Sequence, residues 1–280
     1  MIEIGKYNEL EVKSKSTIGL FLTDGREDVL LPVKYVKDGT NIGDRIEVFV
    51  YLDNENRAIA TTLKPHAVVG DFAFLKVKEV NEHGAFLDWG ISKDIFVSYQ
   101  EQREDMQVGN SYLVYIFIDE FSGRIAATTK WLQFVDVETS DLNEGDEVQI
   151  LVAEKTELGY KAIINNRYEG LIYHNEVFGE IGEGDLKRAY IKHIREDGKI
   201  DLSLQQQGYA HVEDAKEIIL QKLKLNQGIL PLGDKSSPDE IYHQLKMSKK
   251  AFKKAAGGLF KDRLITIADF EIKRTEKKAD

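Results

Sequence analysis

A threefold repeat of glycines at fixed spacing is the feature that most constrains the fold. Each copy contains three of them, which are Gly5, Gly19 and Gly43, then Gly70, Gly84 and Gly109, then Gly145, Gly159 and Gly184. The first interval is 14 residues in every copy, and the second is 24, 25 and 25 residues. The copies close on similar tails, namely NRAIATTLK (56–64), GRIAATTKW (123–131) and GKIDLSLQQ (198–206). This self-similarity predicts three copies of one small structural unit.

Each copy consists of short segments with the alternation typical of strands, separated by turn residues. In the second copy the predicted strands are FAFLKVKEV (72–80), the stretch after Gly84, DIFVSY (94–99), YLVYIFI (112–118) and RIAATT (124–129). Five strands in so short a unit predict a closed or nearly closed barrel, and the OB-fold is the commonest barrel of this kind. We therefore expect a mainly β, multidomain chain. The three predicted OB barrels span 1–64, 65–134 and 141–207.

Short motifs within the copies point to a known domain type. They are GD at 70–71 and 145–146, the turn in EHGAFLDWG (82–90), and EGLIYHNEV (169–177). With these motifs in register, the copies resemble S1-type RNA-binding domains. The first copy is the most altered, with STIGLFLTDG (16–25) at the corresponding turn.

After the third copy the hydrophobic period changes from two to about 3.6 residues. VEDAKEIILQKLKL (212–225), SPDEIYHQL (237–245) and MSKKAFKKAAGGLFKDR (247–263) predict three helices. In the second, Ser237 and Glu240 form a capping-box pattern with Pro238 at the first helical position. LITIA (264–268) and FEIKR (270–274) predict a two-stranded wing. Residues 212–275 are therefore predicted to form a winged helix-turn-helix, a fold whose third helix commonly reads nucleic acid.

The whole arrangement is similar to the conserved virulence factor B family of bacterial proteins. The resemblance covers essentially the whole chain and is most specific in DKSSPDEI (234–241) and MSKKAFKKAAGGLFK (247–261). It implies three S1-like domains followed by a winged helix, RNA binding and a role in gene regulation.

Strand alternation places an aromatic residue on the polar side of two copies. Phe86 has the opposite parity from its apolar neighbours, and Phe21 repeats this pattern in the first copy. An exposed aromatic on an OB-type face is suited to base stacking, as the S1 resemblance also implies. The alternative is that these rings are buried under a neighbouring domain or loop. Phe96 and His83 flank the second-copy face and are further candidate contacts.

Basic residues are the second class of candidates. The third copy has Lys161 where the others have an aromatic, and it offers Lys161 and Tyr173 as its own contacts. Arg57, Arg124 and Lys199 recur at the start of the last strand. Two interpretations of these three stay open: phosphate contact, which the S1 resemblance implies, or pairing with a nearby acid.

Charge is distributed unevenly along the chain, whose net charge is −10. The first 206 residues carry 23 basic and 37 acidic side chains, whereas the remainder carries 15 and 11. Four lysines crowd the first half of the third predicted helix, namely Lys249, Lys250, Lys253 and Lys254. They are suited to attract phosphate, and the alternative is a solvated amphipathic helix.

Motifs of catalysis and targeting are absent from the sequence. The six histidines lack metal-ligand spacing, there is no cysteine, and no phosphate loop or nucleophile elbow occurs. We therefore expect no cofactor, no metal and no enzymatic activity, although a nuclease site built from carboxylates by folding stays open. Without a signal peptide or a run of roughly 18–20 apolar residues, we expect a cytoplasmic protein that does not enter a membrane.

The predicted function is an RNA-binding regulator. Acidic barrels limit indiscriminate phosphate binding, so contact should depend on unpaired bases and favour single-stranded RNA. One alternative is a protein-interaction adaptor that tethers partners to ribosomal, transcription or RNA-decay machinery. Another is binding of DNA, or of a protein, through the winged helix.

Overall fold

The computed structural model describes residues 1–177, 179–205 and 210–275. It contains three closed five-stranded barrels, followed by three helices and a small sheet. The chain forms two compact units, one of residues 1–137 with 163–169 and the other of residues 138–162 with 170–280. The predicted fold class, tandem OB-type barrels followed by a winged helix, is confirmed.

The three barrels share one strand order. In the first barrel the strands are β1 (Lys6–Lys15), β2 (Gly19–Thr23), β3 (Asp28–Pro32), β4 (Arg45–Leu52) and β5 (Ala58–Thr61). In the second they are β6 (Phe72–Asn81), β7 (Gly84–Leu87), β8 (Ile95–Ser98), β9 (Ser111–Ile118) and β10 (Ile125–Thr128). In the third they are β11 (Glu147–Lys155), β12 (Gly159–Ile164), β13 (Tyr168–Tyr173), β14 (Leu186–Ile194) and β15 (Ile200–Ser203). In every barrel the fifth strand lies between the third and the fourth. It pairs in parallel with the third and antiparallel with the fourth.

The central glycine of each repeat lies where two strands approach closely. A Cβ atom on Gly19, Gly84 or Gly159 would lie 2.0, 2.3 or 1.9 Å from a carbonyl oxygen of the next strand. The φ angles of Gly19 and Gly84 are +150° and +152°, which side chains rarely adopt. Glycine therefore recurs at this point because no side chain fits between the second and third strands.

The first two barrels share a hydrophobic core inside the first unit. Phe49 on β4 is fully buried, and its ring meets Trp89 edge-on with 5.3 Å between centroids. Trp89 donates its indole N–H to the Ala67 carbonyl oxygen at 2.7 Å. Tyr51, two residues after Phe49, is buried in the same cluster. The apolar run VFVY (48–51) is uninterrupted because its alternate residues pack into two different cores.

The winged-helix region contains α1 (Ala210–Leu225), β16 (Ile229–Leu230), α2 (Pro238–Leu245), α3 (Lys249–Lys261), β17 (Ile265–Ile267) and β18 (Ile272–Arg274). Its strands form one sheet in the order β16-β18-β17. The wing therefore has three strands rather than the predicted two. Buried Leu230 pairs with buried Ile272, but a two-residue strand is too short to show periodicity in the sequence.

The predicted start of α2 is confirmed by its hydrogen bonds, and α3 has a similar cap. At α2, the Ser237 hydroxyl accepts from the Glu240 amide at 3.2 Å, and the Glu240 carboxylate accepts from the Ser237 amide at 2.8 Å. At α3, the Ser248 hydroxyl accepts from the Ala251 amide at 3.1 Å. Both caps satisfy backbone donors that a helix start leaves unpaired.

Candidate nucleic-acid interface

The outer face of the second barrel presents two adjoining aromatic rings. Phe86 on β7 pairs with Phe96 on β8, and Phe96 pairs with Ala126 on β10. The two ring centroids are 5.0 Å apart with an interplanar angle of 42°. All three residues are half-buried, whereas Ala85 and Leu87, at alternate positions of β7, are fully buried. The rings therefore lie on the outer surface, beside an alanine too small to cover them.

Two other outward aromatic rings of the first unit pack against neighbouring aromatics. Tyr115 on β9 stacks on Phe134 with 4.1 Å between centroids, and Phe49 lies against Trp89. Among the ring pairs of the described residues, Phe86 contacts a ring only at Phe96. Burial under a neighbouring aromatic residue, the alternative considered for Phe21 and Phe86, is thus seen at Phe49, while Phe86 stays half-exposed.

The first barrel offers a weaker version of this surface. Phe21 on β2 pairs with Leu30 on β3, and Leu30 pairs with Ile59 on β5. All three are half-buried. One ring flanked by two branched aliphatic side chains presents less flat aromatic surface than the Phe86–Phe96 pair.

In the third barrel, the positions that correspond to Phe86, Phe96 and Ala126 are Lys161, Leu171 and Asp201, two of which are charged. Leu171 on β13 pairs with Asp201 on β15, and the Lys161 ammonium lies 3.6 Å from a glutamate of β11. Asp201 accepts from the Arg195 guanidinium at 2.9 Å, and this hydrogen bond is the main cause that raises the pKa of Arg195. Arg195 also donates to the Tyr173 hydroxyl. This face has a carboxylate where the second barrel has Ala126.

Two of the three repeated cations are paired with acids of their own turn. Arg57 donates to an Asp53 carboxylate oxygen from Nε at 2.9 Å and from Nη2 at 2.8 Å, and it lies 2.8 Å from Glu55. Hydrogen bonds from the Arg57 backbone and guanidinium are the largest causes that hold the pKa of Asp53 below its ordinary value. Lys199 lies 2.8 Å from Asp197. For these two cations the acid-pairing interpretation fits the structure.

Arg124 differs from its two counterparts. Its Nε donates to the Asn56 side-chain oxygen, 3.0 Å away on the β4–β5 turn, and it forms no ion pair with any carboxylate of the described residues. Ser122 stands two positions before it, where Arg57 and Lys199 have acids. The nearby Asp119 accepts hydrogen bonds from the Ser122 amide and hydroxyl, both at 2.7 Å.

Lys93 lies near Arg124, and no sequence motif marks it. It precedes β8 in the turn GISKD (90–94) and donates to the backbone carbonyl oxygens of Leu52 and Asp53, at 2.7 and 3.0 Å. Burial is the main cause that lowers its pKa, and the charge of Arg124 lowers it further. A lysine in a polar turn gives no sequence signal of this role.

Two further residues of the second barrel lie on exposed turns. His83 is exposed in the β6–β7 turn, 3.7 Å from Glu82. Phe121, in the β9–β10 turn, is fully exposed. Neither belongs to the row formed by Phe86 and Phe96, but Phe121 stands three residues before Arg124 and could have been noticed as an aromatic in a turn.

The lysines of α3 lie on its solvent side. Lys250, Lys253 and Lys254 are exposed and Lys249 is half-buried, while Phe252 and other apolar residues of α3 pack into the domain core. Lys253 lies 2.8 Å from Asp234. This side of the helix carries concentrated positive charge in a chain that is acidic as a whole.

The described residues assemble ring surfaces and cations rather than clusters of metal ligands. Across residues 1–177, 179–205 and 210–275, no group of three or more His, Asp or Glu side chains could hold a metal ion. In the same ranges no helix is long and apolar enough to cross a membrane. Flat rings beside cations are suited to bind bases and phosphates.

Comparison with known proteins matches this domain order. The S1 domain model matches residues 4–63 and 69–130, and the CvfB-like winged helix domain model matches residues 217–273. The protein YitL of Bacillus subtilis is 28% identical over 269 residues, covering 92% of this chain and 89% of YitL. Conserved virulence factor B of Staphylococcus epidermidis is 25% identical over 248 residues, covering 86% and 83%.

A solved structure from Streptococcus pneumoniae, described as a multidomain protein with nucleic acid binding domains, covers 97% of this chain and 98% of its own. Its sequence identity is 24% and its TM-score is 0.43. This chain therefore contains S1 domains followed by a CvfB-like winged helix domain, and it is similar over most of its length to curated conserved virulence factor B proteins.

Proposed function

We propose that this protein binds single-stranded RNA and acts as a bacterial post-transcriptional or transcriptional regulator. The second barrel provides the main base-stacking surface, and the basic side of α3 adds electrostatic attraction. The observation that carries the proposal is the half-exposed Phe86–Phe96 pair, whose rings lie 5.0 Å apart on the outer face of an S1 domain.

Stacking on such rings favours unpaired bases, because a base inside a duplex already stacks on its neighbours. Base–aromatic stacking contributes about 1–3 kcal/mol per base and tolerates any sequence. The acidic barrels weaken general attraction for phosphate, so binding should depend on the rings. Linkage of the barrel face and α3 in one chain raises their joint affinity through effective concentration.

The copies are not equivalent in this proposal. The second barrel has two rings, the first has one, and the third has Lys161, Leu171 and Asp201 in the corresponding row. We infer that the second barrel contributes most of the base contact. The first contributes less, and the third lacks both rings at the corresponding positions.

The test is fluorescence anisotropy with labelled single-stranded RNA, single-stranded DNA and duplex DNA. Single-stranded RNA should bind most tightly, and Phe86→Ala should weaken that binding about 5- to 150-fold, the equivalent of one lost stack. Phe86→Tyr keeps the ring and should bind like the unmodified protein. Thermal unfolding of both variants separates lost contact from lost fold.

Other outcomes identify the alternatives. Absence of binding to every nucleic acid at low salt would contradict the proposal and favour a protein-interaction adaptor. Tightest binding to duplex DNA, lost when Lys250 and Lys253 are changed to Glu but not in Phe86→Ala, would favour DNA binding through the winged helix.

A further inference from the structure

A small cleft in the first unit lies where the first two barrels meet. Its lining residues are Leu52 of the first barrel and Trp89, Lys93, Asp94, Ile95, Arg124 and Ile125 of the second. Two cations from different turns of the second barrel thus share one cleft, and the first barrel forms part of its wall.

Lys93 is held in the cleft with one donor to spare. A lysine ammonium has three N–H donors, and two of them are taken by the carbonyl oxygens of Leu52 and Asp53. The side chain is half-buried, and no carboxylate of the described residues forms an ion pair with it. Carbonyl dipoles orient the ammonium but leave its net charge in place.

Arg124 brings a second unneutralised charge to the same cleft. Of the five donors of a guanidinium, Nε is used by Asn56 of the first barrel at 3.0 Å. The charge of Arg124 contributes to the lowered pKa of Lys93, after the larger effect of burial, while Asp53 acts in the opposite direction. The two cations therefore repel each other, and an anion bound between them would relieve that repulsion.

The acids nearest the cleft already have other partners. Asp94 accepts from Lys78 at 2.8 Å, and Asp53 accepts two hydrogen bonds from the Arg57 guanidinium. In the first and third barrels the cation equivalent to Arg124 is neutralised within its own turn, but in the second barrel it is not. Lys93 and Arg124 thus lie in an acidic part of the chain without forming an ion pair with a carboxylate of the described residues.

We propose that Lys93 and Arg124 form a phosphate-binding site, oriented by Asn56 and by the carbonyl groups of the first barrel. The ligand is a phosphate group of RNA, either an internal diester or a terminal monoester. The inference rests on the proposed function, because it places this phosphate beside the base-stacking rings.

The strand register relates the Phe86–Phe96 ring pair to the position of Arg124. Phe96 pairs with Ala126, and Arg124 stands two residues before Ala126 on the same side of the strand. At about 3.3 Å per residue, the Cα atom of Arg124, which immediately precedes β10, lies about 7 Å along the chain from that of Ala126. A nucleotide stacked on Phe96 can therefore extend its backbone toward Arg124.

The site requires both barrels, although the stacking rings belong only to the second. Leu52, Asp53 and Asn56 all come from the first barrel. The first barrel, whose own ring surface is smaller, thus acquires a second role as the support that holds Lys93 and Arg124 in place.

The experiment measures RNA affinity at several salt concentrations for Arg124→Gln and Lys93→Gln. Each substitution should lower the affinity and reduce the slope of log K against log salt by about 0.7, the value for one phosphate contact on a single strand. Lys199→Gln is the matched control, since it removes the equivalent, acid-paired cation of the third barrel and should leave the slope unchanged. Arg124→Lys keeps the charge and should retain the slope even if Lys93→Gln proves poorly folded.

Oligonucleotides with a 5′-hydroxyl or a 5′-phosphate distinguish the two sources of the ligand. If the terminal monoester binds, the 5′-phosphate should increase affinity in the unmodified protein but not in Arg124→Gln. If an internal diester binds, both oligonucleotides should lose affinity equally in that variant. Either result supports the site.

Failure of this inference can be told apart from failure of the proposed function. Unchanged slopes in Arg124→Gln and Lys93→Gln, with binding still weakened by Phe86→Ala, would overturn the phosphate site alone. If no RNA binds, inorganic phosphate is titrated while NMR follows the Lys93 side chain, identified by its loss in Lys93→Gln. A rise in the pKa of Lys93 that is absent in Arg124→Gln supports the site, and no change overturns it.

Discussion

At the scale of single residues, two phenylalanines that both point outward from a barrel differ in burial, because their neighbours differ. Phe49 and Phe86 both point away from the interior of their own barrel. Phe49 is fully buried against Trp89, whereas Phe86 is half-exposed beside Phe96. Strand alternation identifies a ring that points outward from its barrel. The neighbouring side chains then decide whether that ring is buried or stays available to a ligand.

A first prediction concerns the close approach at Gly84. In Gly84→Ala, the new Cβ would lie 2.3 Å from the Val97 carbonyl oxygen, at a φ of +152°. We expect a loss of at least about 1–3 kcal/mol of stability, the cost of such a strained backbone, measured by urea unfolding. Gly182→Ala is the control, because nothing lies within 4 Å of its Cβ position. Equal stability of the two variants would contradict the prediction.

A second prediction follows from the burial of Tyr51. Burial raises the pKa of this phenol from 10.0 to about 12. The folded state therefore favours the neutral phenol, so this contribution to stability is complete below pH 10 and is lost as the pH rises toward 12. A pKa difference of two between the folded and unfolded states corresponds to a loss of about 2–3 kcal/mol in the free energy of unfolding.

Urea unfolding of the unmodified protein and of Tyr51→Phe between pH 9 and pH 12 measures this contribution. The variant lacks the titrating hydroxyl, so its stability should fall less steeply over this range. Parallel curves for the two proteins would show that Tyr51 does not account for the loss.

At the scale of structural elements, the turn before the fifth strand distinguishes the three repeats. The residue two positions before the repeated cation is Glu55, Ser122 or Asp197. Where it is acidic, the cation is paired within the turn, and where it is serine, Arg124 reaches Asn56 instead. The residue at this one position of the turn thus correlates, across the three repeats, with whether the repeated cation is paired with an acid.

A third prediction concerns the start of α2. Ser237→Ala removes the hydroxyl that accepts from the Glu240 amide, so we expect a loss of about 0.5–2 kcal/mol of stability. Ser237→Asp keeps an acceptor at the cap and should retain most of it. Thermal unfolding, followed by a probe in the winged-helix region, measures both variants. Equal melting temperatures for Ser237→Ala and the unmodified protein would show that the cap contributes nothing measurable.

At the scale of the whole molecule, the proposed contacts to nucleic acid come from two parts of the chain. The ring surface and the Lys93–Arg124 pair belong to the first compact unit, and the α3 lysines belong to the second. The first part of the chain is acidic and the last part basic. The proposed base stacking and the proposed electrostatic attraction therefore belong to different domains.

A fourth prediction follows from this separation. On a long single-stranded RNA, Phe86→Ala and the double change of Lys250 and Lys253 to Glu should each weaken binding. Because the two sites consist of different residues in different compact units, we expect their free-energy losses to add within about 0.3–0.5 kcal/mol when combined. Fluorescence anisotropy on the three variants measures this. A combined loss clearly smaller or larger than the sum would show that the two surfaces act as one site.

Much of the architecture could be predicted because it depends on local rules. The spacing of Gly19, Gly84 and Gly159 marks a backbone approach that excludes side chains, and Ser237 with Glu240 marks a helix start. The outward position of Phe86 follows from strand alternation alone. The third strand of the wing could not be predicted in this way, because two residues carry no period.

The sequence alone determined the repeated barrels, the winged helix and the side of the strand on which each ring lies, since these depend on alternation, spacing and caps between near neighbours. Only the tertiary structure decided which outward rings are covered, and that Lys93 and Arg124 meet at the junction of two barrels. Those outcomes depend on contacts between residues far apart in the chain, such as Arg124 with Asn56 and Lys93 with Leu52. No local pattern in the sequence records such contacts.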